Sequence, residues 1–121
     1  MKSCLVYLSG PITAAHGYSV EDNVREAGQV FLDLTRRGIP SFCPHLGALV
    51  PGAFDIGSET WMAYDFAVID RCTHMLMLPR WETSAGAKRE RDYAVMRAMP
   101  IFWNDIDALD RYLNPRLDGK P

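Results

Sequence analysis

No apolar run in the chain approaches the roughly 20 residues of a membrane span, so no membrane-crossing helix is expected and no membrane partner. The apolar run in the N-terminal "MKSCLVYLSGP" is too brief for a signal peptide and reads as a first strand. Neither sign of charge dominates. Thirteen Lys and Arg stand against fifteen Asp and Glu, a net charge of −2, so no basic field points to nucleic acid. Cysteine is sparse. Cys4, Cys43 and Cys72 lack C-x-x-C spacing, which excludes a disulfide framework and suggests buried thiols in a reducing compartment, the cytoplasm. His45 lies near Cys43, but no second pair has metal-ligand spacing, so no metal is expected. There is no internal repeat and no low-complexity segment. What remains is a composition ordinary for a globular protein, over 121 residues that suit a single domain spanning 1–121.

Apolar runs alternate with helical periodicity. Residues 4–9, "CLVYLS", form a strand that stops at Gly10-Pro11. From Ser19, a candidate N-cap, Val24, Ala27, Phe31 and Leu34 recur at helical spacing until Gly38. Residues 39–43 are a short strand, placed at a sheet edge by Pro40, and 44–57 a long Pro- and Gly-rich loop. A second helix runs over about 58–71, a central apolar strand over 73–79 and a third helix over about 84–98. A buried strand (100–104), a last helix (105–113) and a loose tail (114–121) complete the chain. Alternating strands and helices imply an α/β fold with a parallel sheet of four or five strands, whose ligands bind beyond the carboxyl ends of the strands.

Helical wheels single out two carboxylates. On the second helix Trp61, Met62, Val68, Ile69 and Cys72 form an apolar stripe with Asp65 in its middle. On the third, Ala87, Ala94 and Ala98 define the inward stripe, and Glu90 lies beside it while Lys88, Arg89 and Asp92 point elsewhere. Taken alone, Glu90 in "AKRERD" reads as a solvated charge, Asp65 as a structural acid, Tyr7 as a core tyrosine, Ser84 as a plain N-cap and Trp61 as core or rim. An inward acid is costly unless paired, and two of them bordering one strand-end crevice suggest chemistry.

"YLSGPIT" followed by Asn23, then "MAYDFAVIDRCTHMLMLP", then "WETSAGAKRERDYA", resembles the nucleoside 2-deoxyribosyltransferase superfamily over roughly residues 5–100. That superfamily includes base-exchanging transferases and the 2'-deoxynucleoside 5'-monophosphate N-glycosidases. The resemblance implies a flavodoxin-like three-layer sandwich and a nucleoside or nucleotide substrate cleaved or transferred at its N-glycosidic bond. It implies no metal or organic cofactor, and a homodimer or larger homo-oligomer. It casts Glu90 as nucleophile, Asp65 as the acid handling the leaving base and sugar, and Tyr7 as the tyrosine contacting the nucleophile. Gly10, Pro11, Ile12, Asn23, His45, Trp61, Ser84 and Gly86 are the expected substrate-binding residues, Ser84 standing where the monophosphate hydrolases bind phosphate. This sequence departs from the pattern in "GAKRE", where Lys88 replaces a frequent glycine, and in "GPIT", which lacks the Ser and Arg of the hydrolases. Lys88, Arg89 or a residue of a second subunit would then complete the phosphate clamp. The main alternative is a non-catalytic nucleotide-binding module on the same fold. A receiver-like domain is disfavoured, because no acidic pair follows the first strand.

Overall fold

The computed structural model describes residues 3–115. Strand and helix alternate as β1 (Val6–Ser9), α1 (Val20–Arg36), β2 (Ser41–Phe42), α2 (Ser58–Ile69), β3 (His74–Met77), α3 (Ala85–Met96), β4 (Ile101–Trp103) and α4 (Ile106–Leu113). All four strands run parallel in the order β2-β1-β3-β4. Helices cover both faces, giving the flavodoxin-like three-layer sandwich.

The period-two alternation of the strands builds the layers. Val6, Leu8, Leu76 and Leu78 face one side and pack with Ala27 and Leu34 of α1 and Leu109 of α4. Tyr7, Met75 and Met77 face the other, against Ile69 of α2 and Ala87 and Ala94 of α3. The continuous apolar run of β3 is therefore needed on both faces. Local chemistry sets the helix ends. Ser19 Oγ accepts the Asp22 amide while the Asp22 carboxylate accepts the Ser19 amide, a reciprocal capping box. Ser84 and Asp105 cap α3 and α4 in the simpler way. Gly38, at φ 75°, turns the chain out of α1. At that end Arg37 bonds Asp33, Asp107 and Asp110, tying α1 to α4.

Several boundaries differ from the sequence reading. β1 begins at Val6, and Cys4 is half-buried rather than buried. β2 keeps only two residues, at the edge where Pro40 placed it, although the Pro40 carbonyl still accepts the Val6 amide. The expected buried strand 100–104 is the opposite edge strand, and Trp103 is 51% exposed where no further strand among the described residues pairs with it. The 44–57 connection is not all irregular: it contains 3-10 turns at Pro44–Leu49 and Ala53–Asp55. Ala98 does not extend the inward stripe of α3. The helix ends at Met96, and Ala98 is exposed with φ 55°. Of the expected loose tail, Asn114 bonds Asp110 through its amide and side chain, and 116–121 lie outside the described residues.

Gly10 follows β1 where the chain crosses Leu78. A Cβ there would meet the Leu78 Cβ at 2.8 Å, an atom that cannot swing away. Gly28, inside α1, has open space around it. Gly10→Ala is expected to lose about 1–3 kcal/mol by overpacking, and Gly28→Ala to gain about 0.5–1 kcal/mol from helix propensity. Denaturant unfolding of the two variants against wild type checks both signs.

Candidate active site

Tyr7 and Ser9 are two residues apart on β1, so their side chains leave the same face of the sheet. Both reach one carboxylate. Tyr7 Oη donates to Glu90 Oε2 at 2.9 Å, and Ser9 Oγ donates to Glu90 Oε1 at 2.7 Å. α3 can approach closely enough because Ala87 and Ala94, three before and four after Glu90, present only methyl groups to the sheet. Asp65 arrives from α2, buried between Met62 and Ile69 on the same helix face. It lies close enough to Glu90 and Tyr7 for its charge to act on both. Glu90 is 6% exposed and Asp65 9%, so the group is almost closed to solvent.

Burial governs the electrostatics. It is the first cause, and the Asp65 charge the second, of Glu90 being pushed up to about 8, while the Ser9 and Tyr7 hydroxyls work against the shift. Asp65 is also raised, burial leading, with hydrogen bonds to Glu90 and Tyr7 opposing. Two acids so close cannot both ionise easily, so ionising one favours a proton on the other. Tyr7 is driven far above the usual phenol range by burial, then by the Glu90 and Asp65 charges. It remains a donor at any working pH. The arrangement combines an anchored carboxylate, a second carboxyl able to give or take a proton, and a fixed hydroxyl. That is a set competent for nucleophilic and acid–base work at one carbon.

The other expected residues fall into supporting positions. Gly10, Pro11 and Ile12 form the turn beyond β1. Asn23 is buried and donates from Nδ2 to the Ile12 and Thr13 carbonyls at 3.1 and 3.2 Å, holding that turn against α1. Its Oδ1 accepts from Arg80 at 3.1 Å, and Arg80 also pairs with Glu26 and stacks on the Tyr18 ring. His45 is 1% exposed, with Nδ1 3.8 Å from Cys43 Sγ and Nε2 without a well-aligned partner. Burial lowers it to about 4, against the pull of the Pro11 and Gly10 backbone, so it is neutral. Trp61 donates from Nε1 to the Ala53 carbonyl at 2.8 Å and so pins the 44–57 connection. Ser84 Oγ accepts the Ala87 amide at 3.1 Å; only its hydroxyl hydrogen is left for a phosphate. Gly86 sits near Met62 and Ser84 Oγ. Arg89 is engaged with Glu59 on the outer surface, while Lys88 is exposed. A cleft of about 390 Å³ opens at the amino end of the sheet, between Asp70, Thr73, Arg97 and Pro100, and includes none of Tyr7, Asp65 or Glu90. Chemistry rather than cleft size locates the site.

Two participants escaped the sequence reading. Ser9 was discoverable, since a residue two after Tyr7 on a strand must share its face. Arg80 gave no signal, because its link to Asn23 spans 57 positions. Among the described residues no three His, Cys, Asp or Glu side chains gather as metal ligands, and no helix is long and apolar enough to cross a membrane. Cys4, Cys43 and Cys72 are all free thiols.

The chain belongs to the family described as a domain of unknown function (DUF4406), whose model matches residues 4–103. The match covers β1 through β4, and with them Tyr7, Ser9, Asp65 and Glu90. Comparison with curated proteins gives no match.

The buried acid carries a pH signature. The folded value of Glu90, about 8, lies above its unfolded value of 4.5, so the folded state holds the proton more tightly. That stabilisation is complete below pH 4.5 and is lost as pH rises towards 8. His45 acts in the opposite sense. Its folded value of about 4 lies below 6.5, so its contribution is complete above pH 6.5 and is lost as pH falls towards 4. Between pH 6.5 and 8.5 only the Glu90 effect operates of these two. Thermal unfolding of wild type should fall by several degrees across that window, and Glu90→Gln should be flat there. A wild-type Tm that does not change over the window would contradict the raised acid.

Proposed function

We propose that the protein cleaves or transfers the N-glycosidic bond of a nucleoside or its 5'-monophosphate through a glutamyl glycosyl-enzyme, as the resemblance to the nucleoside 2-deoxyribosyltransferase superfamily implies. One observation carries the reading: Glu90 is hydrogen-bonded to Tyr7 with Asp65 close beside them at the end of β1, although the three lie on different elements. In the first step the Glu90 carboxylate attacks C1'. A C–O bond forms, the C–N bond breaks, and its electron pair leaves with the base. The proton shared with Asp65 passes to the departing base. In the second step water, or the nitrogen of another base, attacks C1' and releases Glu90, while Asp65 takes back the proton. Retaining glycosidases hold their two carboxyls about 5–5.5 Å apart. Asp65 and Glu90 are near enough for the charge of one to raise the other, and a sugar would have to enter between them.

Ser84 at the start of α3 favours a phosphorylated substrate, because its hydroxyl and the free amides of the first turn suit an anion. The three free thiols fit a reducing, cytoplasmic setting. Exposed Leu49, Val50 and Phe54 lie along the connection that carries His45. They favour self-association of the chain there, close to the site. Val50→Asp combined with Phe54→Asp is expected to lower the apparent mass in sedimentation. An unchanged mass would place the interface elsewhere.

The decisive test is release of free base from a panel of nucleosides and their monophosphates. Glu90→Gln keeps the size of the side chain and one accepted hydrogen bond, with the other hydroxyl turning to accept from the amide NH2, but removes the nucleophile. It should fold and bind, yet lose turnover by about a thousandfold or more. Asp65→Asn should lower kcat by about 10²–10⁴, least for substrates whose base leaves easily. Release at the wild-type rate by Glu90→Gln would sink the nucleophile assignment. Tight binding of monophosphates by wild type, with no release from any substrate, would instead identify a nucleotide-binding module.

A further inference from the structure

We propose that Ser9 is a positioning residue for Glu90, fixing Oε1 while Tyr7 fixes Oε2, so that the carboxylate has one orientation when a sugar carbon arrives. This rests on the glycosidic reading of the site.

The last torsion of a glutamate side chain is soft, with a broad, two-fold preference. A single donor holds one oxygen and leaves the carboxylate plane free to turn about it. Here two donors rise from the same face of one strand, and each takes a different oxygen. The strand itself is immobilised. β1 is central, paired with β2 and β3, and the Ser9 carbonyl accepts the Leu78 amide at 2.8 Å. Ser9 is fully buried, and packing alone would be served by alanine. Its hydroxyl instead makes a well-formed bond of 2.7 Å to Oε1. Tyr7 has a single hydroxyl proton, given to Oε2, so it cannot by itself set the plane of Glu90. Ser9 is bonded to Glu90 alone among the described side chains.

The titratable groups facing Glu90 are Tyr7 from β1 and Asp65 from α2. Cys72, before β3, borders Tyr7 and stays a neutral thiol, pushed up to about 11 by burial. Against this background the Ser9 hydroxyl favours the ionised form of Glu90. Its removal therefore has a direction: the carboxylate becomes both less fixed and harder to ionise.

The experiment uses Ser9→Ala and Ser9→Cys in the full chain, with carbon-13 at the glutamate side-chain carboxyls and the Glu90 signal assigned by its loss in Glu90→Gln. In Ser9→Ala the Glu90 titration should move to higher pH by about one unit, since a hydrogen bond to a charged group is worth roughly that much. Ser9→Cys, a weaker donor, should fall between. On whichever nucleoside or monophosphate wild type cleaves, Ser9→Ala should lower kcat about tenfold at neutral pH with KM within about twofold. Part of the loss should return as pH rises. An unmoved Glu90 titration overturns the proposal. So does a kcat loss that is independent of pH and equal in the Ala and Cys variants, which would be packing alone. If Ser9→Ala does not fold, Ser9→Cys carries the same comparison, and a wild-type titration in it is the overturning result. Absence of base release by wild type would count against the glycosidic reading only, because the carboxyl titration needs no substrate.

Discussion

A carboxylate held inside the sandwich is the constraint around which this molecule is arranged. Burying an acid is unfavourable unless its oxygens find donors. Glu90 finds them in Tyr7 and Ser9, on the central strand of the sheet. For that contact α3 must lie close to β1, and the inward face of α3 is accordingly alanine on either side of Glu90. α2 must bring Asp65 to the same point, so a helix whose stripe is otherwise apolar carries one acid at its centre. The apolar packing of Ile69, Met75, Met77 and Ala94 supplies the stability that this polar centre costs.

The turns beyond the strands are held with comparable care. Asn23 grips the turn after β1 by two carbonyls and in turn takes a hydrogen bond from Arg80, which follows β3. Gly10 lets that turn cross Leu78 without a clash. His45, neutral and buried, lies against the backbone of Gly10 and Pro11, while Trp61 fastens the long β2–α2 connection. These residues hold the turns around the buried group of Tyr7, Ser9, Asp65 and Glu90. Under the proposed function they would answer to the shape of a substrate and the group to its bond.

The strength of each sequence signal depended on how local its cause was. The capping box at Ser19 and the stop at Gly38 rest on contacts within a few residues, while Pro40 and the helical periodicity around Asp65 and Glu90 are local signals of edge and inward placement, and all were legible. The length of β1, the exposure of Trp103 and the fate of Ala98 depend on what lies alongside in space. No periodicity records whether a strand has a neighbour on its far side. The 3-10 turns within 44–57 were read as loop for a related reason. Their bonds span three residues, and Pro and Gly in such numbers mark irregular backbone without specifying which turns form.

By itself the sequence determined the order of elements, the parallel sheet and the two helix faces from which the acids point, because hydrophobic periodicity and capping are properties of neighbours along the chain. It also carried the resemblance from which the proposed chemistry of those acids is drawn. Only the tertiary structure decided that Ser9 and Tyr7 divide the oxygens of Glu90 between them, that Asp65 joins the same group, and that Arg80 locks Asn23. These contacts link positions 81, 83 and 57 residues apart for Ser9–Glu90, Tyr7–Glu90 and Asn23–Arg80. Pairing at that range is set by how helices dock on a twisted sheet, and so by the packing of the whole chain rather than by any stretch of it.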